Sequence, residues 1–82
     1  MFERYATALI RDYGTLGAGF TYQLGSARYE TVEAALAGYT HDHGEHAEDA
    51  QVEECYRILQ LDRRDRPVDT IAIGAAREIV GR

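Results

Sequence analysis

Residues 19–31, Gly-Phe-Thr-Tyr-Gln-Leu-Gly-Ser-Ala-Arg-Tyr-Glu-Thr, decide how the rest of the chain is read. Phe20, Tyr22 and Leu24 alternate with Thr21 and Gln23, the two-residue period of a half-buried strand. Gly25-Ser26 suits a two-residue hairpin turn, because glycine tolerates the positive φ that the first central position needs. A turn there sets Leu24 opposite Ala27, Tyr22 opposite Tyr29 and Phe20 opposite Thr31. The apolar side chains then share one face, and Thr21, Gln23, Arg28 and Glu30 share the other. The expectation is a β-hairpin over about 19–31. A lone hairpin is marginal in water, so helices must cover it or a third strand must join it.

Upstream, Phe2, Tyr5, Ala6, Leu9 and Tyr13 fall on one helical face, with Glu3, Arg4, Thr7, Arg11 and Asp12 elsewhere and Gly14 as a stop. A helix is favoured there over a strand in which Tyr5, Thr7, Leu9 and Tyr13 alternate. Residues 14–19 read as a loop. Its glycines, Gly14, Gly17 and Gly19, run in the reverse order of a dinucleotide fingerprint, and the chain has no lysine for a P-loop.

Downstream, Thr31 can cap a helix whose inward row is Val32, Ala35, Leu36 and Tyr39, weakened at its end by Gly38. Asp42 and Glu45, three apart, resemble a capping box that opens a longer helix to about Leu61, with Val52, Cys55, Tyr56 and Leu59 as its buried stripe. Asp62 to Pro67 is a charged break. The segment 69–80 fits a helix, with Asp69 as N-cap and Val68 against Ile73, and fits equally a third strand for the hairpin. The fold expected is therefore α+β: a single small domain, 1–82, with the hairpin packed against three to four helices.

The 82 residues are 45% apolar and carry a net charge of −5, a composition of ordinary folded domains rather than disordered ones. No apolar run approaches the ~18 residues of a membrane helix, and the first residues lack the apolar stretch of a signal peptide. Cys55 is the only cysteine, which points to a reducing cytoplasm rather than a disulfide scaffold. Within the apolar stripe its thiol would be buried and inert.

Charge is unevenly spread. Residues 29–56 hold eight acids and no Arg or Lys, whereas 1–28 hold three arginines against two acids and 57–82 six arginines against four acids. On a helix, Glu45, Asp49 and Glu53 form one i, i+4 row with Glu48 and Glu54 to either side. Four helical residues rise ~6 Å, comparable to alternate phosphates spaced ~3.4 Å apart along a nucleic-acid strand. Like charges in such a row cost a few tenths of a kcal/mol per pair, and no arginine within the helix before Arg57 relieves them. Asp42, Glu45, Glu48, Asp49, Glu53 and Glu54 are thus the candidate partner-binding residues, facing a basic protein surface.

Two further clusters carry possible chemistry. His41, His43 and His46 lie within six positions, and imidazoles with carboxylates are common zinc, nickel or copper ligands. Arg63, Arg64 and Arg66 follow the acidic stretch, where cations favour a helix C-terminus. No activated nucleophile or cofactor loop is present, so neither catalysis nor a cofactor is expected.

In size, acidity and mixture of hairpin with helices, the whole chain resembles the small phage-encoded anti-CRISPR proteins. Many of these occupy the DNA- or guide-binding surfaces of an interference complex, some as charge mimics of DNA. The resemblance implies a non-enzymatic inhibitor that meets a nucleic-acid-binding complex, and it carries over no motif and no individual residue. From the charge distribution neither nucleic acid nor membrane is expected as a direct partner, and the chain is expected as a monomer or homodimer. The alternatives are a small metal-binding protein built on the three histidines and a self-associating, antitoxin-like module.

Overall fold

A computed structural model describes residues 4–12 and 21–81. Four strands, β1 (Arg4–Asp12), β2 (Thr21–Leu24), β3 (Tyr56–Leu61) and β4 (Pro67–Ala72), form one antiparallel sheet in the order β2-β1-β3-β4. Three helices, α1 (Val32–His43), α2 (Ala50–Glu54) and α3 (Ile73–Val80), pack on one face, and a 3-10 turn, Gly44–His46, separates α1 from α2. The class is α+β, as expected, but the elements are distributed differently.

The expected N-terminal helix is instead the central strand β1. Its Ala6 and Ala8 pair across from Leu59 and Arg57, while Tyr5, Thr7 and Leu9 pair with Gln60, Ile58 and Tyr56. Alternation therefore sends Tyr5 to the helix-covered core, and Ala6 and Ala8 to a second buried cluster with Leu59, Leu61, Tyr22 and Leu24 on the opposite face. Residues 2, 3 and 13 and the glycine loop 14–19 lie outside the described residues.

No hairpin turns at Gly25-Ser26. Beyond β2 the chain keeps its direction beside β1: the Gly25 N–H donates to the Thr7 carbonyl at 2.9 Å, and Tyr29 exchanges two backbone hydrogen bonds with Tyr5, at 2.7 and 2.8 Å. Four residues between Leu24 and Tyr29 bulge where β1 advances only from Ala8 to Tyr5. Gly25 permits this approach, since a Cβ there would lie 3.1 Å from the Thr7 oxygen. Pairing with β1 satisfies backbone groups that a self-closed hairpin would leave open along the edge of β1.

Thr31 does cap α1, its Oγ1 accepting the Ala34 N–H at 3.0 Å, and Ala35 and Tyr39 are buried as anticipated. The helix passes through Gly38, which makes room for the Tyr29 ring, and stops at Gly44, whose φ of 55° suits glycine. The expected helix from Asp42 to Leu61 is therefore broken. Asp42 lies inside α1, and Tyr56 to Leu61 form a strand buried on both faces between β1 and β4.

Residues 69–80 combine both alternatives, with β4 running to Ala72 and α3 beginning at Ile73. Asp69 is not the cap; it bonds the Thr70 N–H within β4. The charged break is the β3–β4 turn. Asp65 adopts φ 61° there, and the Asp62 carboxylate accepts the N–H groups of Arg64 and Arg66 at 2.8 and 3.0 Å. Those two bonds, with the Arg66 charge, hold the Asp62 carboxyl below its ordinary range, against a smaller opposing effect of burial.

Candidate functional site

The six nominated carboxylates do not form a helical row, because the chain from Asp42 to Glu54 is a helix end, a 3-10 turn and a short second helix. Two are given structural work or reach a cation, and a third has interactions of its own. Asp49 caps α2, its Oδ1 accepting the Gln51 N–H at 2.9 Å. Glu53 forms an ion pair with Arg77 of α3. Glu54, exposed at the end of α2, also has interactions of its own.

Asp42, Glu45 and Glu48 differ. All three are exposed, and no arginine of the described residues bonds them. Glu45 stands 3.8 Å from His46 Nε2 with its side chain 89% exposed. Asp42 sits in the last turn of α1, where the helix dipole disfavours negative charge.

The ion pair belongs to a wider latch. The Ala47 carbonyl accepts from Tyr39 Oη at 3.1 Å and from Arg77 Nη2 at 2.8 Å, so that α1, the turn, α2 and α3 meet at one point. Burial raises the Tyr39 phenol above its ordinary 10.0, and the Glu53 charge adds to this while Arg77 opposes it. Sequence reasoning missed this latch, since nothing in the spacing ties Arg77 to residues 47 and 53.

Against the latch stands a wall of rings. His43 lies 4.6 Å from Tyr39 and 4.5 Å from Tyr56, centroid to centroid, and the two tyrosines meet edge-on at 5.8 Å. A cleft of about 260 Å3 opens on one side, bordered by Thr7, Leu9, Gln23 and Asp42; another of about 330 Å3 opens on the other, bordered by Asp49, Gln51, Val52 and Cys55. Leu9, His43 and Tyr56 line both. Cys55, expected in the core, is exposed at the rim because the helix that would have buried it ends at Glu54.

The three histidines part company: His43 joins the rings, while His41 and His46 are exposed. Among the described residues no three His, Cys, Asp or Glu side chains converge as metal ligands. Of the arginine cluster, Arg66 pairs with Asp62 and Arg63 and Arg64 are exposed, while Asp65 is met by Arg4 and Arg28 from outside the cluster. Arg63, Arg64 and Arg66 are the ones at the turn, which joins two strands rather than ending a helix. No helix among the described residues is long and apolar enough to cross a membrane. Comparison with known protein families, with curated proteins and with solved structures finds no match.

Proposed function

We propose that this protein is a non-enzymatic inhibitor or regulator whose acidic end, residues 42–54, occupies a basic nucleic-acid-binding surface of a protein partner, in the manner of the anti-CRISPR proteins it resembles. The carrying observation is that Asp42, Glu45 and Glu48 are exposed around one turn and that no arginine of the described residues pairs with them, Arg77 being held by Glu53. Such an end attracts cationic surfaces and repels nucleic acid and anionic membranes. The partner is a protein of the reducing cytoplasm.

The residues that carry docking are narrower than the sequence alone suggests. Reversing Glu53 would strip the latch and reversing Asp49 would remove a cap, so loss of binding in either would report folding. The informative variant is the triple Asp42→Arg, Glu45→Arg, Glu48→Arg. The chain is mixed with purified CRISPR interference complexes, and target-DNA binding is followed by gel shift at two salt concentrations. The wild-type chain is expected to displace DNA, less so at high salt, and the triple variant to leave DNA bound while melting normally. Displacement by the triple variant equal to wild type, or none from any complex by either chain, refutes the reading.

A further inference from the structure

We propose that the two clefts flanking the His43–Tyr56 ring pair are receptors for guanidinium groups, each taking one arginine side chain of the basic partner. The inference rests on the docking role above and names the chemical handle through which it acts.

Size sets the class of occupant. Small-molecule and cofactor sites span roughly 300–1,000 Å3, and these clefts, at about 260 and 330 Å3, stand just below and just above the lower bound of that range. That is room for a side chain. Composition then selects among side chains. Both clefts share the wall of Leu9, His43 and Tyr56, and each has an aspartate at its border, Asp42 on one side and Asp49 on the other. The Asp49 Oδ1 is engaged by Gln51, and its other oxygen makes no bond among the described residues. Among the described residues no arginine lines either cleft; Arg28 and Arg57 donate to the backbone carbonyls of the lining residues Gly25 and Tyr56, at 2.6 and 2.7 Å, and Arg11 reaches the Gln23 side chain at 3.5 Å.

An aromatic wall beside a carboxylate matches the two faces of guanidinium. Its plane stacks on a ring while its edge donates paired hydrogen bonds to the acid, and its weak hydration makes entry inexpensive. An ammonium group, compact and strongly hydrated, uses the carboxylate but gains less from the wall. The wall is also set in advance. His43 is backed by Tyr39, and Tyr39 is held by its hydrogen bond to the Ala47 carbonyl, so little side-chain freedom is lost when the cleft fills.

The test titrates tetraarginine and tetralysine peptides into the 15N-labelled full chain at low ionic strength, reading affinity and location from amide and ring chemical shifts. Tetraarginine is expected to bind about fivefold tighter, the free energy of an exposed cation stacking on a ring, with shifts centred on Leu9, His43 and Tyr56. His43→Ala should erase the preference for arginine. Because that side chain is half-buried, Asp42→Asn, a surface change, provides an independent check and should weaken tetraarginine binding. Equal, salt-sensitive affinity for both peptides overturns the guanidinium receptor and leaves the docking role standing. An unchanged arginine preference in both variants also overturns it, as does absence of binding. Arginine-selective binding by a chain that displaces DNA from no complex supports the receptor while refuting the docking role.

Discussion

Replacing Arg77 by Met keeps the aliphatic stem on α3 and deletes the guanidinium that joins Glu53 to the Ala47 carbonyl. Hydrogen bonds to charged groups contribute ~1.5–3 kcal/mol. Arg77 and Glu53 are 34% and 22% exposed, so water recovers part of the loss and the lower half of that range applies. The Ala47 carbonyl keeps its bond from Tyr39, which limits the additional cost there to a few tenths of a kcal/mol, within the net value of one neutral bond. The total is about 2 kcal/mol, and for a domain of this size the melting temperature should fall by ~8–16 °C. Thermal unfolding by circular dichroism, with urea titration to check that the m-value is unchanged, gives the number. Adding Glu53→Gln to Arg77→Met removes the stranded charge, so the double variant should be about 1 kcal/mol more stable than the two single losses predict. A melting point for Arg77→Met within the ~0.5 kcal/mol of ordinary surface changes would refute the latch.

Gly38→Ala should destabilise, although an alanine in a helix is ordinarily better than glycine by ~1 kcal/mol. The new Cβ would sit 2.9 Å from Tyr29 Cε1 and closer still to Cζ and Oη, and overpacking of ~1–3 kcal/mol leaves a net loss near ~1 kcal/mol; a raised melting point would contradict the packing. Asp62 has a folded pKa held below its ordinary value of 3.8, so the stability it contributes is complete above that value and is lost as pH falls through the lowered pKa. Asp62→Ala should therefore melt below wild type at pH 7, with the gap closing under acid titration below ~4; a gap that stays constant to the end of the titration would contradict the linkage.

What the sequence made legible was local. The Thr31 cap, the inward row of α1 and the period-two pattern of 21–24 all depend on neighbours a few positions away, and all three hold. What it concealed was burial on two sides. In β1 and β3, Tyr5-Ala6-Thr7-Ala8-Leu9-Ile10 and Tyr56-Arg57-Ile58-Leu59-Gln60-Leu61 are nearly continuous apolar runs, since odd and even positions each enter a core. Such a run satisfies helical spacing as readily as alternation, and alanines in β1 pull the reading toward helix. The hairpin failed for a related reason. Whether Gly25 turns the chain or bulges it depends on the competing edge of β1, which lies 18 residues away in sequence at Thr7.

The acidic segment follows the same division between local and distant partners. As an isolated helix, its carboxylates would be equivalent, and any of them could face a partner. Folding makes them unequal: Asp49 is tied to a helix start, Glu53 to an arginine 24 positions further on, and Asp42 is left at a helix end whose dipole opposes it. Negative charge in that position costs ~0.3–1 kcal/mol at an exposed site, and no arginine of the described residues bonds it. A cation arriving at the cleft beside His43 would relieve that repulsion as well as stack on the ring. The same cation arriving at Glu53 would have to displace Arg77. If the acidic end docks on a basic surface as proposed, the energetic advantage would therefore lie at the end of α1, beside the rings, rather than along the acidic stretch as a whole.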